Sequence, residues 1–216
     1  MQRRKLRLPY PEGSLTGEYI ERLLKEITRG VDFVAEDLYG LMGWTDFPPN
    51  PIITARLGST APTLATFLGN VEQYTFDAAN DYVLGATEIP HGWEEGGIIY
   101  PHIHWATNGL EVAAKGVKWV LEYTIANGTS VFPATTTLTV DAEIPASTPD
   151  RTQFITDFSS TISGTSFHIG AYLVWRLSRT ATAHAGGAPA ADPFALAIGF
   201  HGFHNTIGSL GVITKG

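Results

Sequence analysis

The residues with the most chemical potential lie in the run GGIIYPHIHW, positions 96–105. Read as a β-strand, this run sends alternate side chains to opposite faces. His102 and His104 then share one face, while Ile99, Pro101, Ile103 and Trp105 share the other. Two imidazoles spaced this way can reach one ion, and imidazole suits zinc, copper, iron and nickel. The same pair can instead hydrogen-bond within a subunit contact or lie in water. Pro101 has no amide proton to give a ladder, which favours an edge strand or a bulge. Nearby, His91 precedes Gly92 in a turn, a structural position. Glu94 and Glu95 could serve as ligands or as a general base, although exposed turns commonly carry such pairs.

Other candidates carry less chemistry. His201 and His204 fall on opposite faces of any strand through both, which speaks against a joint site. Asp141 and Glu143 share a face and read as a solvated strand edge. His168 and His184 read as surface residues. The absence of cysteine removes disulfides, thiolate ligands and a thiol nucleophile. No nucleophile elbow, phosphate-binding loop or dinucleotide fingerprint occurs. The sequence therefore predicts no catalytic residue, no cofactor and no resident metal, with His102 and His104 as the residual metal candidates.

The elements that must position these residues change character along the chain. From Gly17, the residues Ile20, Leu23, Leu24, Ile27, Val31 and Val34 recur near helical spacing, with Glu21, Arg22, Lys25 and Glu26 opposite. Ser14 or Thr16 is placed to cap this helix, and Gly30 to break it. WTDFPPNPI then excludes regular helix, and PPNP at 48–51 reads as a stiff connector. Beyond it the period is two. The strongest strands are 117–125, 167–178 and 194–201, with others near 63–68, 72–76, 82–89, 97–106, 131–140, 152–158 and 211–214. Trp105, Trp119 and Trp175 fall on apolar strand faces and read as core, leaving Trp44 and Trp93 in loops.

Composition agrees with an all-β protein: 44% of residues are hydrophobic and only 16% charged, with 23 Gly and 13 Pro to make turns. The basic leader Arg3, Arg4, Lys5 and Arg7 is followed by proline and acid instead of an apolar segment, so a signal peptide is not expected. No apolar run reaches the length of about 20 residues that spans a bilayer. A net charge of −7 argues against a nucleic-acid partner.

Two resemblances follow from the histidine segment. Gly96, five residues, then His102 and His104 resemble the first half of the first cupin motif, which implies a jelly-roll metalloenzyme. Asn108 and Gly109 stand where that motif has its glutamate, and the second cupin motif is absent. A longer resemblance runs from residue 88 to 216 and is to a family of tailed-bacteriophage virion proteins. It rests on Pro90, His91, Trp93, Glu95, Gly96, Pro101, His102, His104 and Trp105. It continues through Trp119, Leu121 and Tyr123, and then His204, Gly208, Ser209 and Lys215. This resemblance implies a structural protein of the head, neck or tail.

The expectation is thus a jelly-roll-like antiparallel β-sandwich at 46–216 behind a helical N-terminal arm at 1–45. Its function would be virion assembly, as capsid decoration or cement or as a neck or tail component, after assembly in the host cytoplasm. The alternatives are a cupin-like metal enzyme using His102 and His104, and a carbohydrate-binding module. Apolar Val120, Val174, Ile98 and Tyr100 on nominally outward faces predict a homo-oligomer, with a trimer expected, alongside contacts to other virion proteins such as the major capsid protein. His102, His104, Trp93 and Tyr100 are expected at those contacts.

Overall fold

The computed structural model describes residues 21–30, 42–48, 50–79 and 81–205. The chain divides into two compact units, Met1–Gly43 and Trp44–Gly216. In the first, residues 21–30 form a helix, within which Arg29 pairs with Glu26 at 3.2 Å. The cap at Ser14 or Thr16, the helix after Gly30 and the strand at 211–214 lie outside the described residues, as do Gly208, Ser209 and Lys215. Among the described residues no helix is long and apolar enough to cross a membrane.

The second unit is built from strands β1 (Gly43–Asp46), β2 (Asn50–Pro51), β3 (Arg56–Leu57), β4 (Thr63–Leu68), β5 (Val71–Thr75), β6 (Tyr82–Glu88) and β7 (Ile98–Ala106). There follow β8 (Lys115–Ala126), β9 (Thr136–Ile144), β10 (Gln153–Asp157), β11 (Ile162–Ser163), β12 (Tyr172–Thr180) and β13 (Phe194–His204). They make two antiparallel sheets. The first runs β10-β7-β13-β5-β4, with β1 and β2 added beside β13 and β11 beside β7; the second runs β3-β6-β12-β8-β9. Counting β5, β6, β7, β8, β9, β10, β12 and β13 as one to eight, the sheet orders become 6-3-8-1 and 2-7-4-5. That interleaving is a jelly roll, in which every successive pair except β8 and β9 crosses between the sheets.

Side-chain alternation drives the layers together. On β8, Val117, Trp119 and Leu121 are buried between the sheets, while Lys118, Val120 and Glu122 face outward and are half-buried. On β7, Ile99, Pro101, Ile103 and Trp105 turn inward. Trp105 stacks on Phe154 at 4.6 Å and meets Trp119 at 6.2 Å. Its indole Nε1 donates to Thr156 Oγ1 at 2.9 Å, so this buried aromatic keeps its polar atom satisfied. Trp119 and Trp175 are buried as well, and the pleated periodicity placed all three correctly. Gly85 is required under the last of them, because a Cβ there would lie 2.1 Å from the Trp175 ring.

Three segments depart from expectation. Residues 167–171 keep the alternation, with Phe167, Ile169 and Ala171 buried, yet β12 begins only at Tyr172. The cause is a turn: Ala171 N donates to His168 O at 3.1 Å, and Gly170 takes a φ of 72°, which glycine adopts without steric cost. Residues 131–135 are not strand, and β9 starts at Thr136. Finally, the proline-rich stretch is no free connector. Asn50 and Pro51 pair with Ile198 and Ala197, Phe47 N donates to Phe200 O at 2.9 Å, and Phe47 and Ile52 are buried. Trp44 and Thr45, assigned to the arm by sequence, belong to β1.

Candidate binding groove on the outer face of the first sheet

The outward residues of β7 are Ile98, Tyr100, His102 and His104, so the two histidines do share a face, as their spacing requires. Register decides what lies beside them. His102 is flanked by Gly199 of β13 and Asp157 of β10; His104 by Ala197 and Ile155; Tyr100 by His201. β1 lies on the far side of β13 and sets Trp44 edge-on to Tyr100 at 5.3 Å and to Phe203 at 5.7 Å. The Trp44 ring tilts over His201 at 5.9 Å.

Gly199 shapes the floor. A Cβ at this position would sit 2.2 Å from His102 Nε2. Without one, the imidazole lies down across β13 and keeps only 7% of its side-chain surface exposed. The result is an open groove of about 610 Å³. Trp44 and Tyr100 line it, together with His102, His104 and His201, Ile155, and the carboxylates Asp46 and Asp157.

Asp46 Oδ1 lies 3.6 Å from His102 Nε2 and 3.3 Å from His201 Nδ1. It faces both imidazoles and gains an ion pair with either one that takes a proton. His104 Nδ1 is 3.4 Å from Gln153 Nε2, and its ring lies 5.1 Å from that of His102. Burial lowers the His104 pKa below its ordinary 6.5, repulsion from His102 adds to the shift, and Asp46 opposes it. Among the described residues, no group of three or more His, Cys, Asp or Glu is placed to hold a metal ion. The arrangement suits hydrogen bonding and aromatic contact.

The other sequence candidates are dispersed. Trp93 does not belong to a subunit contact: it is fully buried and stacked on Phe167 at 5.3 Å. Gly164 makes room for its indole, since a Cβ there would come within 2.4 Å of the ring. Glu95 accepts the Ile169 amide at 3.1 Å and lies 3.7 Å from His168, a structural tie away from the groove. His91 sits in the turn after β6, 3.3 Å from Glu88. Asp141 is more than a solvated edge, since it accepts the Thr182 hydroxyl and the Ala183 amide. His184 is half-buried and receives the Gly186 amide on Nδ1 at 3.1 Å.

Sequence reasoning missed Asp46, Ile155, Asp157 and His201 as companions of the histidine pair. Asp46 fell in a stretch that sequence assigns to no strand, and for the others no local pattern says that β10 and β13 flank β7.

No family model matches the chain, and no curated protein matches it. Among solved structures, it is similar to a protein of infectious bursal disease virus, Gx strain, at 9% identity and a TM-score of 0.38, over 80% of this chain and 34% of that one. A protein of the Gt strain of the same virus is similar at 10% identity and a TM-score of 0.26, over 67% of this chain and 38% of that one. A Paenibacillus cycloisomaltooligosaccharide glucanotransferase is similar at 14% identity and a TM-score of 0.34, over 76% of this chain and 19% of that one. This chain thus spans well under half the length of each.

Proposed function

We propose that this protein is a non-enzymatic structural component of a tailed-bacteriophage virion. It acts by protein–protein assembly as capsid decoration or cement, with a neck or tail position as the second placement. The observation that carries the reading is an apolar patch on the outer face of the second sheet. Tyr172 is 50% exposed, Val174 38%, Val131 92% and Phe132 44%. Val174 pairs with Thr124 across β12 and β8, and the Thr124 hydroxyl donates to Pro133 O at 2.9 Å, which ties the loop that carries Val131 and Phe132 to this strand pair.

An outward sheet face in water ordinarily carries polar residues, and a cluster of large apolar side chains there favours a protein contact. The resemblance of residues 88–216 to virion proteins supplies the context, and the jelly roll suits it. The assembly is a closed homo-oligomer, because cyclic symmetry covers the same patch on every copy. A trimer follows by analogy with virion appendages of this fold class. Light scattering coupled to size exclusion tests it: the native protein should elute as a trimer, and Val174→Glu with Phe132→Glu should give a folded monomer. Mass spectrometry of purified virions should find the protein in stoichiometric amounts. A native monomer that is absent from particles would overturn the reading.

A further inference from the structure

We infer that the groove on the outer face of the first sheet binds a neutral oligosaccharide, a function separate from assembly through the second sheet. The chemistry of the lining selects this ligand class. A sugar ring offers a flat C–H face and a rim of hydroxyls, and it needs an aromatic plane beside groups that both donate and accept. Trp44 is 52% exposed and Tyr100 40% exposed, and they stand at 71° to each other, so two faces of the groove are aromatic. Below them lie three imidazoles and two carboxylates. A neutral imidazole donates from one nitrogen and accepts on the other, and a carboxylate accepts from two adjacent hydroxyls.

Competing ligand classes fit less well. Among the described residues no lysine or arginine lines the groove, so a phosphate, a nucleic acid or an acidic peptide would meet its carboxylates with no lining cation to balance them. Among the described residues no set of side chains converges on a metal. A lipophilic molecule would ordinarily sit in an enclosing pocket that buries most of its surface, whereas this groove is open to solvent.

The platform is also held in place before any ligand arrives. Trp44 is braced edge-on by Tyr100 and Phe203, and His102 is laid flat by the missing Cβ of Gly199. Aromatic surface fixed in advance lowers the ordering cost of binding. The Asp157 side chain makes no hydrogen bond or ion pair among the described residues, so its carboxylate is available to sugar hydroxyls.

The protein carries its own reporter. Trp93, Trp105, Trp119 and Trp175 are each at most 2% exposed, so among the tryptophans only Trp44 can meet a ligand from solvent. Full-length protein is titrated with cellotetraose, maltotetraose, chitotetraose and mannotetraose to about 10 mM, enough to fill most of a site with a Kd near 1 mM. A neutral-glycan array is probed in parallel. The expected result is a saturable change in tryptophan emission with at least one probe. Tyr100→Ala and Asp157→Asn should each weaken it about tenfold or more with the far-ultraviolet circular dichroism unchanged, and Trp44→Ala should lose the same glycan on the array. No saturable response to any probe or array glycan would overturn the inference, as would affinity unchanged in Tyr100→Ala and Asp157→Asn. It would also fall if acrylamide reached Trp44 only in the monomeric Val174→Glu/Phe132→Glu variant, because the groove would then lie between copies of the chain.

Discussion

Two glycine-to-alanine substitutions present nearly the same clash and should have very different consequences: one destabilising, the other close to neutral. In Gly85→Ala the new Cβ would lie 2.1 Å from the Trp175 ring, and in Gly199→Ala it would lie 2.2 Å from the His102 ring. Ordinary carbon contacts begin near 3.5 Å, so each ring must move by about 1.4 Å. Trp175 is 2% exposed and packed between the sheets, where the interior is as dense as an organic crystal and yields little. Overpacking there costs about 3 kcal/mol. Alanine recovers about 0.5–1 kcal/mol of the entropy glycine loses in a strand, leaving a net loss of about 2 kcal/mol. For a domain of this size that lowers Tm by about 4–8 °C.

His102 stands at the edge of an open groove and can rotate out over it. Its escape costs about 1 kcal/mol in rotamer preference and lost contacts, nearly cancelled by the same entropic gain, so Tm should move by no more than about 2 °C. Differential scanning calorimetry on both variants decides the matter, with a crystal or NMR structure of Gly199→Ala showing the displaced imidazole. A Gly199→Ala variant as unstable as Gly85→Ala would refute the claim that groove and core differ in freedom. So would a neutral Gly85→Ala.

His104 gives the sandwich a pH dependence of known sign. Its folded pKa lies below the ordinary 6.5, so as pH falls the unfolded chain takes up the proton first. This contribution is complete above about pH 6.5 and is lost as pH falls toward the folded pKa. Urea midpoints at several pH values should show a shallower acid loss for His104→Gln than for the native protein, and identical slopes would contradict it. Arg179 is 2% exposed and donates to Phe76 O and to Asp192 Oδ1, both at 2.6 Å. Its replacement by alanine opens a cavity and strands a buried carbonyl, for a loss of about 2–3 kcal/mol measurable by urea unfolding. Truncation to residue 43 should leave the second unit folded by circular dichroism and thermal melting, whereas truncation to residue 47 removes Trp44 and Asp46 and should abolish the tryptophan response in the groove. An insoluble product from the first cut would show that residues 1–42 are part of the folding unit.

Much of the fold was legible in the sequence because strand faces leave a local record. The alternations at 97–106 and Val117–Ile125 arise from burial on one side of a pleat, and they placed Trp105, Trp119 and the His102–His104 pair on their correct faces. The same signal misled at 167–171. Phe167, Ile169 and Ala171 are buried in alternation there, but burial and ladder hydrogen bonding are separate properties, and a turn at Gly170 supplies the first without the second. Prolines at 48 and 51 read locally as a spacer, and only the neighbouring β13 could turn that stretch into part of a sheet.

Composition and period by themselves determined that the chain would stack two apolar faces with many turns, and that two histidines would point the same way. What those histidines would meet was decided by the tertiary structure. Strand neighbours far apart in the chain are chosen by which faces bury together, so Asp157, Gly199, His201 and Trp44 reach the histidines through the jelly-roll order of β10, β7 and β13 and the addition of β1. Trp93 shows the converse. It sits in a turn that sequence reads as exposed, and Gly164 and Phe167, more than 70 residues later, close over it.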